Sequence, residues 1–585
     1  MIHARGANGG HGGVLLSSSA PLHRLCEARE GANEQTLAEK STSRDRMHGF
    51  DTGAAGPQTG RKQVKDWRGI CKDFPPRRAT CSTEQPDRMS EHPANDSAAD
   101  WNEALKESTV GAGGSFQAAN VVGFSGDADR LNPQNWPMRK KVYTTALWAL
   151  TTSWITFASA IYSTGTAQIS QEFHVSYDVA NAGTSLLVFG FALGPMLWAP
   201  LCEVYGRKWP ALAPYFVSAA FAFGTATAKD IQTILITRFF AGVFGSSPIS
   251  ITGGSIVDIW SPRQRGTPMV CYGITIAAAP TLGPIIGGAF IASGCGWRWT
   301  EYLTGIVMMA QFALDALWLD ESHADVLLTR KAHWLRTATG NFALHAKWEE
   351  TSPTFRDLLS TYLVRPFQML FDPICLLLTI YTSFVYAILY ASLESFALEY
   401  GQIRGWGPVV SQLPFLALLS GCLVAAAANI YNNIYYGKKL VANNFKPVPE
   451  ARLPPMMYGG FAFSASLFLF GWTSSKHVSS PWPSIVGVFL TGVGFTTIFQ
   501  SSLQYLVDTF THYSASAIAA NTFVRSMAAG AFPLFVWPMY KKIGIDWGST
   551  IFALVSVLLL PAPFLFFKWG NRIRARGEFS KLSTY

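Results

Sequence analysis

The chain has 585 residues, of which 49% are hydrophobic and only 14% charged, and its net charge is +9. Soluble domains carry about 25% charged residues, so an ordinary soluble globular protein is excluded. The surplus of cations reads as basic loops beside a bilayer, not as a nucleic-acid surface. The eight cysteines are scattered without paired metal-ligand spacing; they read as packing residues, and no metal site is expected.

Residues 1–138 are rich in Gly, Ser, Ala and charged side chains and lack sustained apolar periodicity, which predicts a mostly disordered tail. There is no basic start followed by an apolar core, so no cleavable signal peptide is expected. The text from Met89, "MSEHPANDSAADWNEALKEST", reads like a natural beginning. It raises the alternative that residues 1–88 are absent from the mature protein, against a genuine long tail.

From residue 139 onward the pattern changes to twelve apolar blocks of about 20 residues, the length that crosses a bilayer at a rise of about 1.5 Å per residue. Six fall in 139–320 and six in 373–567, separated by a polar, basic stretch at 321–372 and followed by a basic tail at 568–585. The reading is an all-α integral membrane protein with twelve spans in two six-helix bundles joined by a linker and related by duplication. Lys and Arg concentrate in alternate connections, among them Arg207, Lys208, Arg263 and Arg265. That bias places both termini, the linker and the tails in the cytoplasm of a multi-pass cell-membrane protein.

The second and third blocks meet at "GPMLWAPLCEVYGRKWPAL", Gly194 to Leu212. Gly206 allows a tight turn, Arg207 and Lys208 sit at headgroup level, and Glu203 ends the preceding helix. A carboxylate there serves as a latch that breaks in another conformation. The same spacing also suits a solvated basic turn that only fixes orientation. Asp258 ends the fourth block close to Arg263 and Arg265, and with Glu203 and Arg207 it would complete a charge network. Gly437, Lys438 and Lys439 echo Gly206, Arg207 and Lys208 in the second half, a faint internal repeat.

Inside the blocks, Arg238 lies two turns into the fourth and Arg525 near the middle of the eleventh. Intramembrane arginines are costly and point to a cavity or a partner; at Arg238, snorkelling to the interface is the alternative. Arg525 could bind an anion, balance a carboxylate or hold the two halves together. Intramembrane carboxylates are few: Asp315, Asp320 and Glu394. Of these Glu394, in "LYASLESF", is the first candidate for a group that titrates while exposed to each side in turn.

"APLCEVYGRK" resembles the signature between helices 2 and 3 of the major facilitator superfamily. Leu201, Gly206, Arg207 and Lys208 match it, while Ala199, Glu203 and Val204 replace its Gly, Asp and first Arg. The departures, with "NPQNWP", "RFFAGVFGSSP", "VDIWSPRQRG", "GWRW", "RLPPMMYGG" and "AANTFVRS", are similar to the fungal branch of twelve-helix drug/proton antiporters, over roughly residues 130–575. The resemblance implies a role for Arg238 in proton coupling. It also makes Gly283, Pro284, Gly287 and Gly288 the mark of an exporting antiporter, and it suggests a cavity that Asn181, Tyr381, Tyr386, Tyr390, Gln500, Gln504 and Asn521 help to line.

The function expected is export of a drug, toxin or secondary metabolite by proton antiport with alternating access. Its partners are the organic substrate, protons and lipid; the protein acts as a monomer, with no cofactor beyond the proton gradient. A polyamine exporter comes second, since the chain offers few anionic groups to line such a site. Uptake comes third, and a nontransporting membrane sensor represents a different class. The eleven His fall mostly in tails and loops, with none in a His-x4-Asp or His-Glu-x-x-His arrangement, so a membrane enzyme is not expected.

Overall fold

A computed structural model describes residues 120–581 apart from 127, 128, 130, 262, 263, 351–359, 445, 475–479 and 578. Most of the expected tail, with the alternative start at Met89, lies outside the described residues, as does Arg263.

Thirteen long helices run through the bundle among the described residues. The first six are α1 (Met138–Ile161), α2 (Tyr177–Tyr205), α3 (Lys208–Ala226), α4 (Ile231–Ile259), α5 (Gly266–Ala292) and α6 (Trp297–Trp318). The others are α7 (Pro373–Phe396), α8 (Pro414–Ala442), α9 (Pro454–Thr473), α10 (Trp482–Thr509), α11 (Ser514–Ile543), α12 (Ile545–Leu559) and α13 (Pro561–Arg576). The last two form one rod interrupted at Leu560, because Pro561 cannot donate the backbone bond that would continue it. That rod runs to Arg576, nine residues further than the apolar block ending at 567 suggests.

A few helix starts carry a side-chain cap. Asp230 accepts from the Thr233 amide at 2.8 Å and Asp372 from the Ile374 amide at 3.1 Å, each satisfying an orphan donor of the first turn. Seven of the rods are long and apolar enough to cross a membrane by length and composition. The others are shorter or carry polar residues on inward faces, such as Thr144, Thr151, Thr152 and Thr156 on α1, all buried.

The packing repeats itself. In the first half α2 lies along α4, α3 along α4, α1 along α5 and α3 along α6. Adding six to each label gives the second half: α8 on α10, α9 on α10, α7 on α11 and α9 on α12. The rule extends to the seam between halves, where α2 meets α11 and α8 meets α5. Even close backbone approaches correspond. A methyl group on Gly242 would strike the Leu187 carbonyl of α2, and one on Gly492 would strike the Leu418 carbonyl of α8. Glycine is needed at both because two backbones touch there.

Residues 120–126 and Asp129 dock on the linker. Val122 donates to the His345 carbonyl at 2.8 Å and His345 returns a bond to Asn120 at 3.0 Å. Lys331, on the linker helix Ala324–Thr339, reaches Asp129 at 2.8 Å, and Val122, Ala332 and Ala346 are buried together.

Candidate functional site

Three groups of polar residues stand out, one at each end of the bundle and one at its centre. At the first end the chain leaves α2 through Gly206, whose φ of +90° suits glycine. Arg207 then turns back under α2 and α4. Its Nε donates to Asp258 Oδ2 at 2.9 Å and its Nη1 to Glu203 Oε1 at 2.9 Å. Glu321, from the start of the linker, accepts from the Arg207 amide at 2.8 Å and the Lys208 amide at 3.1 Å. Those are free donors at the N-terminus of α3. His323 Nε2 completes the group 3.2 Å from Glu203 Oε2. Burial works against the charge of Arg207, but Asp258 and Glu203 outweigh it and hold the guanidinium ionised well above its ordinary range. The geometry brings Glu203, Gly206, Arg207, Lys208 and Asp258 together. Glu321 and His323 were missed because only folding brings the linker here.

The counterpart in the second half is not Gly437–Lys439. No neighbour crowds Gly437, and Lys439 lies over the Tyr435 ring. Arg452 fills the role instead. Its Nε donates to Asp508 Oδ2 at 2.9 Å, and its Nη1 donates to Asn433 and, at 3.1 Å, to Gln504 Oε1. Gln504, expected in a cavity lining, belongs to this cluster. Beside it, Arg574 of α13 pairs with Glu450.

Arg238 does not snorkel. It is 1% exposed and donates to Glu301 at 3.2 Å, to the Ala158 carbonyl at 3.0 Å and to the Gly183 carbonyl at 3.2 Å. Its guanidinium lies 4.4 Å from the Tyr162 ring centre. Glu301, also 1% exposed, adds a carboxylate to the intramembrane set. Asp315 is held by Thr151 at 2.5 Å and Gln311 at 2.9 Å, and Asp320 pairs with Lys140 at 2.6 Å.

At the other end, side chains cross the seam. Tyr177 of α2 donates to Glu394 Oε2 of α7 at 3.0 Å, and its ring stacks on Trp537 of α11 at 4.4 Å. Asn181 donates to the Pro533 carbonyl at 3.0 Å, and Ser159 bonds Tyr390 at 2.8 Å. On α5, methyl groups on Gly283 and Gly287 would press on α1 at Ile161, and one on Gly288 would meet the Pro408 carbonyl of the other half at 2.7 Å. Pro284 sits among them in mid-helix.

Arg525 occupies the centre. It is 5% exposed, and its guanidinium lies 4.7 Å from the Tyr386 ring centre and 4.9 Å from that of Phe499. One turn earlier, Asn521 donates to Thr382 at 2.7 Å. Gln500 donates to the Val270 carbonyl across the seam at 3.5 Å. No group of His, Cys, Asp and Glu suited to a metal ion occurs among the described residues.

Residues 147–533 match the sequence profile of the Major Facilitator Superfamily. The chain belongs to the major facilitator superfamily. It is 91% identical over 469 residues to the efflux pump bik6 of Gibberella fujikuroi, covering 80% of this chain and 97% of that protein. It is 38% identical over 463 residues to the citrinin biosynthesis cluster MFS transporter mrr1 of Monascus ruber, covering 79% and 92%. The fold resembles that of the proton:xylose symporter XylE, with a TM-score of 0.50 at 13% identity over 74% of this chain and 96% of that one. The protein is a multi-pass membrane efflux transporter and not an enzyme.

Proposed function

We propose that the protein exports a small organic secondary metabolite across the cell membrane, with both termini in the cytoplasm and protons moving inward in exchange. The names of its relatives support the cargo class, since mrr1 is assigned to a biosynthetic cluster and bik6 is called an efflux pump. The excess of Lys and Arg in alternate connections supports the orientation. The observation that carries the coupling is the Tyr177–Glu394 bond across the seam. A carboxylate that bridges the halves links proton binding to opening, because protonation weakens its pull on the phenol.

In this reading bundles 139–320 and 373–567 rock about the centre. The clusters of Arg207 and Arg452 brace each bundle at the cytoplasmic end, and the seam at Glu394 opens to release cargo. Arg238, fixed by Glu301, braces the first bundle on the Glu394 side. Asn181, Tyr386, Gln500, Asn521 and Arg525 lie along or near the seam, where an alternating site has to be.

The test is efflux of a panel of labelled secondary metabolites from cells expressing the chain, with and without a protonophore, alongside Glu394→Gln. Loss of a compound that stops with either treatment supports antiport. Loss that persists in both removes Glu394 and the proton from the mechanism. Movement of no compound favours a nontransporting sensor.

A further inference from the structure

The buried arginines of this bundle are treated differently. Arg207, Arg238, Arg452 and Arg574 each face a carboxylate within hydrogen-bond distance. Arg525 has no such partner among the described residues, and its Nε finds no hydrogen-bond acceptor. The aromatic faces of Tyr386 and Phe499 flank it. Ring faces attract a desolvated cation, but less strongly than removal from water penalises an unpaired charge. A cation retained there without a carboxylate leaves a strong, directional demand for an anion at the meeting point of the two halves.

The surroundings narrow the chemistry of that anion. Tyr386 and Phe499 lie 5.9 Å apart with their planes only 23° from parallel, and Phe495 continues the stack at 7° to Phe499. Flat rings pack well against such faces. Asn521 precedes Arg525 by four residues and so shares its helix face. Its amide nitrogen is used by Thr382, while its Oδ1 is buried without a donor. Arg525 and Asn521 therefore bring a cation and a free acceptor one turn apart beside a stack of buried rings.

We propose that Arg525, Tyr386, Phe499 and Asn521 form a subsite for a planar aromatic acid. Arg525 takes its carboxylate or ionised phenol, and Asn521 accepts from a neighbouring hydroxyl. This rests on the export reading for its context, and it disfavours polycations as cargo, because the nearest fixed charge would repel them.

The test uses the purified full chain and 3-hydroxy-2-naphthoate, a fused-ring acid with an adjacent hydroxyl, beside its neutral methyl ester. Fluorescence titration is expected to give at least about tenfold tighter binding of the acid than of the ester, as one charge-assisted bidentate contact supplies. Arg525→Gln is expected to remove that preference. Arg525→Lys is expected to restore part of it. Tyr386→Leu is expected to weaken acid and ester alike, a check that a folded variant still reports. Equal binding of acid and ester by the unaltered chain, binding of neither, or a preference that survives Arg525→Gln overturns the subsite. Vesicles carrying an imposed proton gradient separate the two ideas. An Arg525-dependent preference without gradient-driven movement keeps the subsite and sinks antiport.

Discussion

Arg452 holds Asp508 at 2.9 Å, the distance at which Arg207 holds Asp258. Each arginine precedes the third helix of its half and each aspartate ends or nearly ends the fourth, so one ion pair occurs twice, related by the same rule that maps α2 and α4 onto α8 and α10. A pair buried on both sides leaves a costly charge behind when one member is removed.

Asp508→Asn is therefore expected to destabilise the protein by about 3 kcal/mol, read as an earlier unfolding transition in detergent. Asp508→Asn combined with Arg452→Gln is expected to cost less than the sum of the two single changes. Additivity would separate the residues energetically and remove the parallel with Arg207 and Asp258.

Arg238 makes a sharper case, because its fork spans Glu301 and the carbonyls of Ala158 and Gly183. Arg238→Lys keeps the charge but cannot reach three directions at once. We expect it to lose about 2 kcal/mol or more, with folded yield after extraction as the measurement. A yield equal to the unaltered chain would show that the single ion pair suffices.

Tyr177→Phe removes the hydroxyl that meets Glu394 and keeps the ring that stacks on Trp537. The change is expected to loosen the seam without unfolding it. A cysteine placed at Asn181 should then react faster with a polar thiol reagent, by about fivefold for a lost bond of about 1 kcal/mol. An unchanged rate would mean that the stacked rings alone hold this end.

The docking of Val122 and Asp129 on the linker should depend on pH in a defined sense. Burial raises the carboxyl pKa of Asp129, but bonds from Lys331 and from the Ser125 and Leu131 amides outweigh it and leave the folded value below the ordinary 3.8. A group lowered on folding contributes stability above its unfolded value and loses it as pH falls through the folded one. Docking should hold from neutrality to about pH 5 and weaken below 3.8, read as faster hydrogen exchange at the Val122 amide. Lys331→Ala should weaken docking at neutral pH as well. Exchange that does not change across this range would take Asp129 out of the contact.

The helices were legible because apolar runs of bilayer length leave few alternatives, and Gly206, Arg207 and Glu203 were legible because they stand together in the chain. Glu301 was not, although Arg238 lies near the start of α4 and Glu301 near the start of α6. Two opposite charges at similar depth from one end of a bundle were the available signal. Glu321 and His323 carried no local mark, since their partners lie more than a hundred residues away. Gly437–Lys439 repeats the first turn in its letters alone, whereas the fold repeats it at Arg452 through position relative to α9.

Asn433 accepts from Arg452 and donates to the Gly266 carbonyl at the start of α5. No charged member of the Arg207 group has a matching tie to the second half among the described residues; its added partners, Glu321 and His323, come from the linker. The duplicated pair has thus acquired two unlike audiences. One copy is bonded to the segment that joins the bundles, the other to the opposing bundle itself, so two like ion pairs sit in unlike settings.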